Sequence, residues 1–270
     1  MTKIHPSSIV DTKAELADDV EIGPFCTIGP DVKMDSGCRV ISHAVVDGHT
    51  TMGKNNTIYP YAAIGTLSQH KRSDITDGLL IIGDNNTFRE QVTAHVGGSD
   101  CDDNITKIGS GNLFLVSAHI AHDCKLGDGI TMSNNATLAG HVHVGDRAII
   151  GGLSAVLQFC RIGKGAMIGG MSGIAQDVIP YGIVAGGYRA PLEGLNLVGL
   201  RRSGVDHELI FQLQKAYKML FESRDVNFAD RVSALANDET FKNNSLVQDI
   251  VEFVQHPSKY NILQPAEGKK

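Results

Sequence analysis

Four histidines stand close together in this 270-residue chain: His119, His122, His141 and His143. Asp123 follows one of them and Gly140 precedes another. An imidazole, with an unperturbed pKa of about 6.5, can take a proton from a hydroxyl or an amine near neutral pH. A carboxylate beside it can fix its tautomer and stabilise the imidazolium that forms. A glycine lets a backbone N–H approach a developing oxyanion. Together these are the parts needed to move an acyl group onto a hydroxyl or an amine. A positioned base contributes roughly 10²–10⁴-fold, so orientation must supply the rest. Two other chemistries fit less well. No Ser or Cys with a partner base stands out as a covalent nucleophile. Histidine clusters also bind zinc, but the close pair His119-x-x-His122 implies neither a helical nor a strand metal pair, and no metal is expected.

These residues meet only if the chain folds to bring them together, and a repeat says how. Stepping by six from Ile4 gives Val10, Leu16, Ile22, Ile28, Met34, Val40, Val46, Met52, Ile58 and Ile64, all apolar. The series resumes at Ile82 and Phe88, then runs from Ile108 through Ile120, Leu138 and Val156 to Ile174. Four residues after each apolar position lies a small or β-branched one, such as Cys26, Val32, Cys38, Ala44, Ala118, Cys124, Ala136 and Cys160. The residue just after the apolar one is often glycine, as at Gly23, Gly29, Gly109 and Gly127. A period of six is not a helical period. It fits a triangular prism in which three hexapeptides make one coil and stacked coils pair as parallel strands, with glycine-bearing turns at the corners.

Residues eighteen apart then stack. His122 lies under Gly140 and Gly140 under Gln158, while Asp123, His141 and Phe159 form the neighbouring column. His143 falls in a different column, with Lys125 and Arg161. One edge of the prism therefore gathers His122, Asp123, Gly140, His141 and Gln158. The same register places Cys26, Cys38, Cys124 and Cys160 in the small inward slot as core residues. Cys101 lies in a loop, and the odd total of five cysteines gives no disulfide framework.

Two segments break the repeat, at 66–80 and 95–107, and are expected to bulge from a coil corner, where binding residues gather. The prism is predicted over residues 1–190, followed by a helical domain over 191–270. Within that domain the stripe Leu209, Ile210, Leu213, Ala216, Tyr217 and Leu220 marks a helix at 206–223, with Asp206 as N-cap, and further helices fall at 228–236 and 245–255. The formal net charge of −6 gives no nucleic-acid surface. No apolar run reaches the roughly 20 residues of a membrane span, and the N-terminus has no secretory core, so a cytoplasmic location is expected.

The repeat resembles the left-handed parallel β-helix of hexapeptide-repeat acyltransferases, an exception to the usual hand of parallel crossovers. More specifically, AHIAHDC (118–124), NNATLAGHV (134–142), IIGG (149–152), QFC (158–160) and GIAQDVIPY (173–181) resemble the UDP-N-acetylglucosamine O-acyltransferases of lipid A biosynthesis. So do IGPFC (22–26), VVDGHT (45–50), REQVTAH (89–95) and KAYK (215–218). The resemblance implies a homotrimer with active sites between neighbouring prisms. It implies transfer of a 3-hydroxyacyl chain from acyl carrier protein to the glucosamine 3-position of UDP-N-acetylglucosamine, the first step of lipid A biosynthesis. The donor would ride on the carrier's phosphopantetheine, and no cofactor of the chain's own is implied.

By motif, His122 would be the general base, Asp123 its orienting carboxylate and Gly140 the oxyanion donor. His119, His141 and Gln158 would line the cleft, Gln69 would meet the sugar, Asn196 and Arg202 would hold the nucleotide, and Gly170 would lie at the acyl-length ruler. Lys215 and Lys218, on one helix face, are candidates to dock the acidic carrier. The chain departs from the family at SQHKRS, where NQDLKY is usual. His70 replaces an acceptor-binding Asp, and Arg72, or less readily Lys71, replaces a Lys. Leu157 stands for a common His, Val198 for a Glu and Ser203 for a basic residue. These changes spare the base and cluster on acceptor contacts. They keep open N-acylation of a 3-amino UDP-sugar, a paralogue of altered specificity or a non-catalytic one. From another class, a metal-dependent hexapeptide protein of the carbonic anhydrase kind stays open too.

Overall fold

A six-residue period buries two side chains per corner-to-corner segment, the apolar residue and the small one four positions on, as Ile22 with Cys26 and Ile28 with Val32. In a computed structural model, which describes residues 2–71, 77–98, 103–222 and 225–266, each repeat forms a short strand ending on that apolar residue. Glu21–Ile22, Thr27–Ile28 and Lys33–Met34 are successive examples. The apolar member points inward: Ile22, Ile28, Ile58, Ile120 and Ile150 are buried, while their neighbours Glu21, Thr27 and Thr57 are not. Burying each such Ile or Leu stabilises by about 1.5–3 kcal/mol, and the repeat does this along the whole column.

Strands pair in parallel with those one coil away, as Lys3↔Glu21, Glu21↔Arg39 and His119↔Thr137. Among the described residues this gives three sheets of eleven, nine and eight strands, the three faces of a prism. The eleven-stranded sheet is called face one here, the nine-stranded sheet face two and the eight-stranded sheet face three. Gly182–Val184 pairs antiparallel with Leu192–Leu195 at the C-terminal end of face one and closes the ladder. Cys26, Cys38, Cys124 and Cys160 are buried free thiols, and burial pushes the Cys124 and Cys160 thiols up to about 12, which leaves them inert. Cys101 lies outside the described residues.

The corners differ from the sequence expectation in one respect. Apart from Gly65 (φ 79°), the glycine after each apolar residue is not the bend. The left-handed backbone falls two residues later and mostly on non-glycine residues, among them Phe25 (φ 58°), His43 (φ 49°), Asp123 (φ 60°) and His141 (φ 60°). The earlier glycine answers to space instead: a Cβ on Gly23 would stand 1.8 Å from the Ile41 carbonyl oxygen of the next coil.

Both breaks in the repeat leave the prism at the same edge. The first runs from Ala63–Thr66 on face two to Leu79–Ile82 on face three, and the second from Thr93–His95 to Ile105–Ile108 on the same two faces. His119–Ile120 and Lys125–Leu126 flank that edge one coil further on, so the His122 corner lies directly beside both excursions.

The chain then turns helical: α1 (Leu197–Arg202), α2 (His207–Phe221), α3 (Phe228–Ala236) and α4 (Ser245–Gln255). Asp206 caps α2 by accepting from the Glu208 N–H, and Ile210, Leu213, Ala216 and Leu220 form its buried stripe. Sequence periodicity missed α1, which is too short to show a period. The helices are fastened to the prism by Asp249, which accepts a hydrogen bond from the Tyr181 hydroxyl and pairs with Lys164 at 3.2 Å. No described helix is long and apolar enough to cross a membrane.

Candidate active site

The edge between faces two and three is built from corner residues of successive coils. His122 Nδ1 lies 2.7 Å from Asp123 Oδ2. Since a carboxylate oxygen accepts, Nδ1 carries the hydrogen and Nε2 is left as the acceptor. Asp123 is held from three sides. Its own N–H donates to Thr106 Oγ1 at 2.8 Å, the Gly98 N–H of the second excursion donates to Oδ2 at 3.3 Å, and His141 Nε2 stands 3.7 Å away. His122, Asp123 and His141 are all buried.

The next coil supplies Gly140, on which the His122 ring rests. A Cβ there would come within 2.5 Å of His122 Cε1 and 2.6 Å of Nε2, so only glycine admits the imidazole in this position. Backbone bonds lock the two corners in phase: the His141 N–H donates to the His122 carbonyl and the Phe159 N–H to the Gly140 carbonyl, both at 3.1 Å. Among the described residues no acceptor meets the Gly140 N–H. The His141 ring stacks on Phe159 with centroids 4.5 Å apart and planes 10° from parallel.

The excursions add two more imidazoles. His70 packs against His122 at 5.3 Å between centroids, and Gln69 is its exposed neighbour. His95 lies 5.3 Å from His119 and ties down the first excursion through the Leu67 carbonyl, 2.8 Å from its Nδ1. His119 Nδ1 meets Thr93 Oγ1 at 2.8 Å. Burial holds the His119 ring down at about 4, helped by the neighbouring His95 and His122, and burial also lowers His95. His122, Asp123 and His141 offer ligand atoms within 4.8 Å of one another and are the described residues that could hold a cation.

Comparison with known proteins decides the family. Residues 177–262 match the family model described as "Udp N-acetylglucosamine O-acyltransferase; Domain 2". The acyl-[acyl-carrier-protein]--UDP-N-acetylglucosamine O-acyltransferase of Rickettsia canadensis is 49% identical over 95% of this chain and 96% of its own length. The enzyme of that name from Rhizobium johnstonii is 40% identical over 99% of this chain and 97% of its own. The chain belongs to the UDP-N-acetylglucosamine O-acyltransferase family. The solved family structure from Acinetobacter baumannii superposes with a TM-score of 0.90 at 39% identity, covering 97% of this chain and 99% of that one. The Francisella novicida structure gives 0.91 at 33% identity, covering 98% and 95%. The fold is the family's left-handed parallel β-helix followed by C-terminal helices, as the family resemblance implied.

The residues that the family motifs imply fall into separate groups on one protomer. His122, Asp123, Gly140 and His141 are together, with exposed Gln158 one coil above Gly140 and His119 and Gln69 alongside. Arg72 lies outside the described residues. Gly170 stands on a different edge, between faces one and two, where a Cβ would meet the Gly152 carbonyl at 3.2 Å. Asn196 meets a third edge, between faces three and one, and Arg202 follows it in α1. Asn196 is buried, and its side chain is engaged by the fold: Oδ1 accepts from the Gly199 N–H to cap α1, and Nδ2 donates to the Gly165 carbonyl. Arg202 is exposed in the last turn of α1. Sequence reasoning missed Thr106, Gly98 and the packing of His70 on His122. The stacking rule had placed Phe159 beside His141 without giving it a part in the site.

The two depressed histidines give a pH signature. Folded, His119 and His95 hold protons more weakly than in the unfolded chain, so the unfolded state binds more protons between about 4 and the usual 6.5. Their neutral packing stabilises fully above that window and is lost as pH falls through it. Thermal unfolding is expected to shift to lower temperature from pH 6.5 to pH 4, with a smaller shift in His119→Gln; an identical acid response in that variant would contradict the assignment.

Proposed function

We propose that this chain transfers a 3-hydroxyacyl group from acyl carrier protein to the glucosamine 3-hydroxyl of UDP-N-acetylglucosamine, the first step of lipid A biosynthesis. The observation that carries the reading is the 2.7 Å His122–Asp123 contact set over the bare backbone of Gly140, in a chain of this family. His122 Nε2 takes the proton of the sugar 3-hydroxyl as its oxygen attacks the thioester carbonyl. The tetrahedral oxyanion is met by the Gly140 N–H. Collapse breaks the C–S bond, and the departing phosphopantetheine sulfur takes the proton back from His122. Asp123 holds the tautomer and balances the imidazolium between the two transfers. The chain brings no cofactor of its own to these steps, and no metal is required.

His141, Gln158, His119 and Gln69 line the acceptor side of this edge. Acyl-chain and nucleotide contacts are assigned to other edges. Gly152 and Gly170 stack without side chains beside the exposed Leu153, Met167 and Met171, an apolar stretch suited to an acyl chain. Arg202 is the cation for a diphosphate, and Arg72 is the assigned sugar-side cation. Asn196 serves mainly by ordering α1. One protomer carries these groups on three different edges, so a complete site requires a second copy. A homotrimer with sites between prisms meets that requirement. The substrates are cytoplasmic metabolites, and we assign the chain to that compartment.

A second reading rests on His70. An imidazole beside the base, where the family motif has a carboxylate, suits a 3-amino acceptor, since an ammonium must lose an extra proton before it can attack. Mass spectrometry of reactions offering UDP-N-acetylglucosamine and its 3-amino analogue with 3-hydroxyacyl carrier protein tests both readings. The acylated 3-hydroxy sugar nucleotide is expected as the main product. Exclusive acylation of the amine would favour the second reading, and no product from folded protein would sink both.

Docking of the acidic carrier is assigned to α2, where Lys215 and Lys218 are exposed and Lys215 Nζ sits 4.3 Å over the exposed Phe211 ring. Charge reversal at both lysines is expected to raise the KM for carrier-bound donor about tenfold, more at low salt than at high, with kcat little changed. An unchanged KM would remove the docking surface.

A further inference from the structure

The acid–base pair sits in a stack of groups that does not end at the prism. Asp123 Oδ2 faces His141 Nε2 at 3.7 Å, and His141 lies flat on Phe159. The other side of the matter is Lys259, whose ammonium stands 3.6 Å from the Phe159 ring centroid. A cation over an aromatic face is held by the ring's quadrupole. Lys259 belongs to the segment that follows α4, far from the site in sequence.

That segment is tied back to the prism. The Asp177 N–H donates to the Asn261 carbonyl, the Leu263 N–H donates to the Asp177 carbonyl at 2.8 Å, and the Leu192 N–H donates to the Gln264 carbonyl. The segment's own Ile262 and Leu263 are buried. Asp177 is itself fully buried and paired with Arg161 at 2.7 Å, while Arg161 packs under Phe253 of α4. The segment 259–265 therefore works as a strap with fixed anchors, and Lys259 is delivered to Phe159 by the fold.

We propose that Lys259 is a positioning residue for the acyl-transfer site, acting through Phe159 to fix the plane of the His141 ring against Asp123. The inference rests on the acyl-transfer reading above for its kinetic consequence, but not for its geometry. His141 has the left-handed corner conformation, and its ring lies parallel to Phe159. A ring turned out of plane would move Nε2 away from Asp123 and change the carboxylate's hold on His122. The helical C-terminal region would then be part of the site through a single side chain.

The test is a cycle of Lys259→Met, Lys259→Arg, Phe159→Leu and the double variant Lys259→Met/Phe159→Leu in the full-length protein. Lys259→Met is expected to lower kcat about two- to fivefold with KM unchanged, and Lys259→Arg to restore it, because Arg keeps the cation–ring contact. In the Phe159→Leu background Lys259→Met is expected to add nothing. Independently of activity, the His141 ring proton resonances, shifted by the Phe159 ring current, are expected to move in Lys259→Met and return in Lys259→Arg. Wild-type kcat and unmoved His141 resonances in folded Lys259→Met would overturn the proposal, as would full additivity in the double variant. If the wild-type protein made no acylated product, the functional reading would fall while the resonances still decided the strap.

Discussion

The structure depends on one constraint, the parallel backbone ladder that joins each strand to the strand one coil away. Because every coil closes on the same three faces, a corner residue can only sit over the corner of the next coil. His122 is on Gly140 because the His141 N–H bonds the His122 carbonyl, and Phe159 is on His141 because its N–H bonds the Gly140 carbonyl. The hydrophobic column inside keeps the ladder in phase: a slip of one residue would turn Ile120 and Leu138 out to solvent. Burial thus sets the register, and the register sets which side chains can cooperate.

The corners themselves carry a conformation that most side chains avoid. Left-handed backbone costs an ordinary residue about 1–2 kcal/mol. Asp123 and His141 adopt it, but so do Phe25, Asn55, Tyr61 and Arg147 at equivalent corners with no part in the site. The conformation is therefore the scaffold's way of turning and is not special to the chemistry. The site uses a corner that the fold would make anyway, and adds to it only an imidazole, a carboxylate and a missing side chain. The two excursions leaving the same edge then enclose that corner with Gly98 and His70, which turns an exposed edge into one where His122 and Asp123 are buried.

Much of this was legible from the chain because its information is periodic. The apolar series from Ile4 to Ile174 implied the prism, and the eighteen-residue coil put His122, Gly140 and Gln158 in one column and His143 in another. What the period could not carry was anything delivered from outside it. Thr106 stands in the repeat's register, where Lys107↔Lys125 keeps the eighteen-residue spacing, but the reach of its hydroxyl to the Asp123 N–H is a side-chain contact that the period does not express. His70 and Gly98 arrive on excursions with no repeat, and Lys259 on a strap whose path is set by the buried Asp177. Asn196 shows the opposite limit. Its motif implied nucleotide binding, and the hydrogen bonds add a role that the motif does not express: Oδ1 caps α1 and Nδ2 ties that corner to the Gly165 carbonyl. The bend two residues beyond each glycine is likewise a property of backbone geometry that composition does not express.

The central claim is that His122, oriented by Asp123 over Gly140, removes the acceptor's proton. It is tested most directly by single-turnover acyl transfer in His122→Ala, with folding and oligomeric state verified against the wild-type protein. A loss of roughly 10²–10⁴-fold in the chemical step, with acceptor binding retained, is the expected result. Transfer at the wild-type rate in that variant would contradict the account.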